Sequence, residues 1–139
     1  MLLVVDANVL FSALISGGKT ADLIFCDWLQ LIAPEFLFSE LGEHRAELLA
    51  KSSLSEHDFN RFLEVLRERI DVIPREEFEG FLQEANELTA DPDDTEYLAL
   101  ALRFGAAIWS KDEKLKKGQS RVKVYPTEEL VKLLSEAKP

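Results

Sequence analysis

Short apolar runs alternate along this chain with longer stretches in which apolar and polar residues are mixed. Five mostly apolar segments are predicted as strands: residues 2–5, 29–33, 72–73, 107–110 and 122–125, of which residues 2–5 are apolar throughout. Apolar residues at consecutive positions are typical of strands that are buried on both faces, as in a parallel sheet. The runs therefore predict a sheet that lies inside the molecule.

The mixed stretches repeat their apolar residues every three or four positions, which predicts helices that bury one face. The predicted helices cover about residues 20–28, 35–51, 56–70, 76–89, 94–104 and 127–134. Thr20, Ser55 and Thr127 are candidate N-caps of three of them. Strands that alternate with helices predict a three-layer α/β/α fold with a central, mainly parallel sheet of about five strands.

Length and composition fit one globular domain. The chain has 139 residues, 47% of them hydrophobic and 30% charged, and we expect residues 1–139 to form a single domain. No apolar run approaches the roughly 20 residues that span a bilayer. The opening residues also lack the basic flank and the cleavage site of a signal peptide. We therefore expect a cytoplasmic protein without a membrane segment.

The net charge of −10 argues against a protein that holds long nucleic acid on a broad cationic surface. It does not argue against a nuclease, because divalent ions in an acidic cleft reverse the local electric field. The charge therefore leaves phosphate chemistry open, provided that a metal ion takes part.

Two aspartates follow apolar runs directly, at the end where a strand leaves a parallel sheet. Asp6 comes after residues 2–5, and Asp112 comes two positions after residues 107–110. In an open α/β sheet the carboxyl ends of the strands meet at one edge, and ligands bind there. A turn or helix-cap role is the ordinary alternative for both side chains.

Asp94 opens the helix predicted at 94–104 and shares a face with the apolar residues Leu98 and Leu102. Its side chain is therefore expected to point toward the sheet. Asp93 lies about 100° round the helix and is expected to face water. Asp91 is a turn former that also serves as a candidate accessory ligand.

A fourth acid, Glu40, lies in the first turns of the helix predicted at 35–51, beside its apolar stripe. Glu43 and Glu35 compete for the same role, and a solvated helix face would explain all three. Asn8 and Ser110 are polar side chains close to Asp6 and Asp112 in sequence. They are candidates to orient a carboxylate, a water molecule or a phosphate group.

Acids that converge without enough cations to pair them favour a metal site. Mg²⁺ and Mn²⁺ prefer carboxylate oxygens and retain water ligands, so a site made mostly of aspartates suits them. The pattern therefore indicates a metal-dependent enzyme that acts on phosphate groups.

The ordered set of motifs resembles the PIN domain, the fold of many small metal-dependent ribonucleases, including the toxins of toxin–antitoxin pairs. The matching segments are residues 4–10, 39–41, 94–101 and 108–112. The resemblance implies an Mg²⁺- or Mn²⁺-dependent endoribonuclease that hydrolyses single-stranded RNA. By this resemblance the catalytic acids are Asp6, Glu40, Asp94 and Asp112, the metal ligands are the three aspartates, and Asn8, Ser110 and Asp91 support them.

The resemblance also implies partners: an RNA substrate, an antitoxin protein and a second copy of the chain in a homodimer. Three alternatives stay open. One is a PIN-like module that binds RNA or another partner without cleavage, and another is a phospho-receiver domain. The third is a phosphatase of the haloacid dehalogenase type, which Asn8 disfavours because those enzymes carry a second Asp at that position.

Overall fold

The computed structural model describes residues 1–137. Its strands are β1 (Leu2–Val5), β2 (Gln30–Pro34), β3 (Ile70–Ile73), β4 (Ala107–Trp109) and β5 (Val124–Tyr125). They form one sheet in the order β3-β2-β1-β4-β5, and every neighbouring pair is parallel. Parallel neighbours need crossover connections, which the helices supply.

The helices are α1 (Ala7–Ser16), α2 (Gly18–Ile24), α3 (Leu37–Glu43), α4 (Arg45–Lys51), α5 (Glu56–Arg69), α6 (Leu82–Leu88), α7 (Pro92–Phe104), α8 (Glu113–Gly118) and α9 (Thr127–Ala137). Two turns of 3₁₀ helix, Arg75–Glu77 and Glu79–Phe81, precede α6. The helices flank the sheet, so the predicted three-layer α/β/α fold is confirmed.

The central strands carry the core, as their uninterrupted apolar runs predict. Leu3, Val4 and Val5 of β1 are completely buried, and so are Ile108 and Trp109 of β4. Side chains on both faces of these strands are removed from water, which explains why no polar residue interrupts them.

Two predicted helices are interrupted in the structure. The helix expected at 35–51 is divided into α3 and α4 at His44, whose φ of −101° and ψ of 9° leave the helical region. Gly42, a poor helix former, lies just before this break. The helix expected at 76–89 begins only at Leu82, because Phe78 (φ −129°) is inserted into the core between the two 3₁₀ turns.

The predicted helix at 20–28 is displaced, and Thr20 is not its N-cap. The helix begins at Gly18 and ends at Ile24, where the Arg69 guanidinium donates hydrogen bonds to the carbonyls of Ile24 and Cys26 at 2.5 and 2.7 Å. Carbonyls at a helix end need such donors. This contact from the end of α5 stops the helix before Trp28.

The predicted N-cap at Ser55 is confirmed. The Ser55 side chain accepts a hydrogen bond from the Asp58 N–H at the start of α5. Gly105 ends α7 in the left-handed region at φ 61°. Among residues 1–137, no helix is both long enough and apolar enough to cross a bilayer.

The topology directs several loops to one edge of the sheet. The chain leaves β1 at Asp6 and β4 just before Ser110, and β1 and β4 are neighbours. Helix α7 packs across β1, β2 and β4, so its first turn lies near the same edge. This edge is where the candidate acids are found.

Candidate active site

Asp6 lies at the tip of β1 and is 8% exposed. Its backbone N–H donates to the carbonyl of Trp109 at 3.0 Å, which ties the tip of β1 to β4. Although Asp6 occupies the N-cap position of α1, its side chain forms no capping hydrogen bond. The carboxylate oxygen Oδ2 instead accepts hydrogen bonds from Ser110 Oγ at 2.7 Å and Asn8 Nδ2 at 3.3 Å.

Ser110 and Asn8 join the loop after β1 to the loop after β4. Ser110 Oγ accepts hydrogen bonds from Asn8 Nδ2 at 3.2 Å and from the Asp112 N–H at 3.0 Å. Asn8 Oδ1 accepts a hydrogen bond from the Lys111 N–H at 3.1 Å. The two polar side chains therefore fix the relative positions of Asp6 and the loop that carries Asp112.

Asp112 is half-buried and also begins α8. Its Oδ1 accepts hydrogen bonds from the Lys114 and Leu115 N–H groups at 2.9 and 3.3 Å, which makes it the N-cap of this helix. The lysine-rich segment 114–118 lies within this helix. Only the oxygen Oδ1 of Asp112 caps the helix. The same side chain can therefore cap α8 and belong to the candidate site.

Asp94 is 9% exposed and points inward, as its position on the helix predicts, whereas Asp93 is exposed. Asp91 is the N-cap of α7 and accepts a hydrogen bond from the Asp93 N–H at 2.9 Å. Within residues 1–137, the Asp94 carboxylate accepts no hydrogen bond. Burial and repulsion from Asp91, Asp112 and Asp6 raise its pKa to about 7.

The pKa of Asp6 is raised as well, first by burial and then by repulsion from Asp112. The Ser110 hydroxyl and the nearby N–H groups of Ala7 and Asn8 act in the opposite direction. Asp112 therefore opposes the ionisation of both Asp6 and Asp94, and Asp6 also opposes that of Asp94. The hydrogen bonds of Ser110 Oγ to Asp6 Oδ2 and to the Asp112 N–H agree with this grouping.

Glu40 approaches the same group from α3. Burial raises its pKa, followed by repulsion from Asp6, Asp93 and Glu43. Its Oε1 accepts a hydrogen bond from the Tyr97 hydroxyl at 3.1 Å. Glu43, the competing acid, is exposed, so the structure favours Glu40 as the acid of this helix.

Tyr97 is a contact of these acids that was not predicted from the sequence. It lies one helical turn after Asp94, and residues three apart in a helix share a face. The sequence signal for this contact was a tyrosine hydroxyl on the otherwise apolar face of the helix. It gave no indication of the partner, since Glu40 is 57 positions away in the chain.

A pocket of about 280 Å³ opens beside the acids. Asp91, Asp94 and Asp112 line it together with apolar residues from α6 and α8. Lys114 also lines it, but none of the four acids forms an ion pair with a Lys or Arg within the described residues. Lys111 directly precedes Asp112 in the sequence, but its Nζ donates a hydrogen bond to Ser12 Oγ at 2.8 Å.

The donor set fits a hard divalent cation. The oxygens are carboxylates, their charges are not compensated by lysine or arginine, and their mutual repulsion would be relieved by a cation. Within residues 1–137, however, no three His, Cys, Asp or Glu side chains are arranged to hold a metal ion by themselves. A site for Mg²⁺ needs fewer protein ligands, since this ion usually takes one or two carboxylates and completes its shell with water and substrate phosphate.

Comparison with known families agrees with this picture. A model of the PIN domain matches residues 4–136, which is nearly the whole chain and includes all the acids described above. The search of curated proteins finds no match.

Proposed function

Since this chain belongs to the PIN domain family, we propose that it is a divalent-metal-dependent endoribonuclease that hydrolyses phosphodiester bonds of single-stranded RNA. PIN domains are generally nucleases. One observation carries the proposal: beside an open pocket, Asp112 and Asp6 raise the pKa of Asp94 and Asp112 raises that of Asp6, without a cationic partner in the described residues. Carboxylates that lie together in a cleft and have raised pKa values are typical of functional sites.

The carboxylates that would hold Mg²⁺ or Mn²⁺ come from Asp6, Asp94 and Asp112, and one or two of them would bind the ion directly while water completes its shell. A bound ion would supply Lewis-acid stabilisation of the phosphate and would lower the pKa of a coordinated water molecule. The repulsion between the acids supports this assignment. A bound cation would neutralise their charges and so relieve a repulsion that destabilises the folded state.

The protein's own side chains position the reactants. Ser110 and Asn8 hold the Asp6 carboxylate in place, and Asp112 is held by the helix that it caps. Glu40 is not one of the proposed metal ligands. It lies close enough to Asp6 for their charges to interact. We assign its carboxylate the role of taking a proton from the attacking water. The oxygen of this water adds to phosphorus as one P–O ester bond breaks, and the leaving oxygen takes up a proton from solvent.

Cleavage of labelled single-stranded RNA tests the proposal. The purified protein is incubated with RNA or with single-stranded DNA of the same sequence, in the presence of Mn²⁺ or of EDTA. We expect RNA to be cut only with the ion. Asp94→Asn should lower cleavage by at least about 100-fold, as loss of a group that binds the reacting centre commonly does.

Asp93→Asn is the matched control, because Asp93 is the adjacent residue, carries the same charge and faces water. It should retain most of the activity. Retention of RNA without cleavage by the wild-type protein would instead indicate a binding module, and release of phosphate from a small phosphoester would indicate a phosphatase. Either result would overturn the proposal.

A further inference from the structure

Tyr97 is a buried tyrosine whose hydroxyl faces the acids rather than solvent. It is 2% exposed, and its ring meets that of Phe36 edge to face, with centroids 5.5 Å apart. Phe36 immediately precedes α3, the helix that carries Glu40. The ring therefore connects α7 with the start of α3.

The hydroxyl of Tyr97 occupies the space between two of the acids. It donates to Glu40 Oε1 at 3.1 Å. After burial, repulsion from Asp6 at the tip of β1 is the largest cause that raises the pKa of the Tyr97 phenol, so the hydroxyl also lies near Asp6. The phenol thus links Glu40 to the tip of β1.

The Glu40 carboxylate needs a hydrogen-bond donor to keep it beside the other acids. Asp6, Asp93 and Glu43 all repel its carboxylate, and within the described residues no cation pairs with it. A glutamate has three rotatable side-chain bonds, so repulsion of this kind would turn it toward water. The Tyr97 hydroxyl is the donor that opposes this movement, and it is itself held rigidly because its ring is buried.

We propose that Tyr97 is a positioning residue, whose hydroxyl holds the Glu40 carboxylate in the active cleft and thereby sets the rate of cleavage. This inference rests on the proposed nuclease function and adds a residue that acts through Glu40 rather than on the substrate. It predicts that the two side chains act as one unit.

A double-mutant cycle tests this proposal. Tyr97→Phe keeps the buried ring and removes only the hydroxyl, Glu40→Gln removes the charge, and the third variant combines both changes. We expect Tyr97→Phe to lower kcat on single-stranded RNA about 10- to 100-fold, the usual range for a residue that orients a functional group. KM should change by less than about twofold, because the hydroxyl does not contact the substrate.

The combined variant should be no slower than Glu40→Gln alone, since there is then no carboxylate left to position. Thermal unfolding of the metal-free proteins supplies a readout independent of activity. The change in Tm of the combined variant should differ from the sum of the changes of the single variants, because the two side chains are in direct contact. Effects on ln kcat and on Tm that simply add would show that Tyr97 acts independently of Glu40 and would overturn the proposal.

Two matched controls accompany the cycle. Tyr125→Phe removes the hydroxyl of the second tyrosine, which lies on β5 and makes no side-chain hydrogen bond in the described residues. Glu43→Gln removes the competing acid of α3. Both should keep nearly full activity. A wild-type protein that cleaves no RNA would overturn the nuclease function and the role of Tyr97 with it, whereas an active wild type whose Tyr97→Phe variant keeps full kcat would overturn the role of Tyr97 alone.

Discussion

Replacement of Asp94 by Asn should stabilise the folded protein at alkaline pH while it removes activity. The pKa of Asp94 is about 7 in the fold against 3.8 for an unperturbed aspartate. The folded state therefore binds the proton more tightly than the unfolded chain does, and ionisation of Asp94 costs folding free energy. That cost is absent below pH 3.8, grows between 3.8 and about 7, and is complete above 7.

The magnitude follows from the difference between the two pKa values. At about 1.4 kcal/mol for each pKa unit, it corresponds to at most about 4 kcal/mol. The carboxylate lines an open pocket, so water screens part of the repulsion, and we expect about 2 kcal/mol in practice. Asn has nearly the same shape and no charge, so the variant should be more stable than the wild type by about this amount near pH 8 and by little near pH 4.

Urea unfolding followed by circular dichroism at the two pH values measures this difference, in metal-free buffer. Asp93→Asn is the control, because an exposed aspartate should contribute less than about 0.5 kcal/mol at either pH. An Asp94→Asn variant that is destabilised equally at both pH values would refute the reasoning. It would mean that the carboxylate stabilises the fold and that the acids do not repel one another as their burial implies.

Three further predictions concern the metal, the hydrogen-bond network and a helix end. Mn²⁺ at about 100 times its Kd should stabilise the wild-type protein by about 2.7 kcal/mol and the Asp94→Asn variant by much less, as measured by thermal unfolding with and without EDTA. Ser110→Ala should lower the free energy of unfolding by about 1 to 3 kcal/mol and should also lower cleavage, because the Asp6 carboxylate and the Asn8 amide lose a buried hydrogen-bond partner. A urea unfolding curve identical to that of the wild type would contradict this. Gly105→Ala should cost about 1 kcal/mol through its left-handed φ of 61° alone, with cleavage unaffected, since an added Cβ meets no atom within 4 Å.

The antitoxin partner and the homodimer stay predictions. They rest on the resemblance to the PIN domain family alone. A sizing column combined with light scattering would measure the oligomeric state directly.

Local pattern alone determined the architecture of this protein. The strands were predictable because a strand buried on both faces needs consecutive apolar residues, and β1 and β4 have no polar interruption. The positions of Asp6 and Asp112 followed from the same pattern, since each comes just after such a run. Asp94 could be assigned an inward direction because helical periodicity sets which residues share its face.

Tertiary packing decided what the pattern could not. The hydroxyl of Thr127, predicted as a helix cap, accepts a hydrogen bond from the Trp109 indole at 3.1 Å, and that of Thr20 lies 3.5 Å from it. A buried indole N–H needs a partner, and only the crossing of α2 and α9 near β4 brings one within reach.

The contact between Glu40 and Tyr97 has the same origin. Sequence spacing fixes neighbours within one helix, whereas the choice between Glu40 and Glu43 depended on which face of α3 turns toward α7. That orientation is set by the packing of whole elements around the sheet, because many weak contacts distributed over the core act together. The sequence therefore determined which acids stand at the carboxyl ends of the strands, and the tertiary structure determined which of their neighbours hold them.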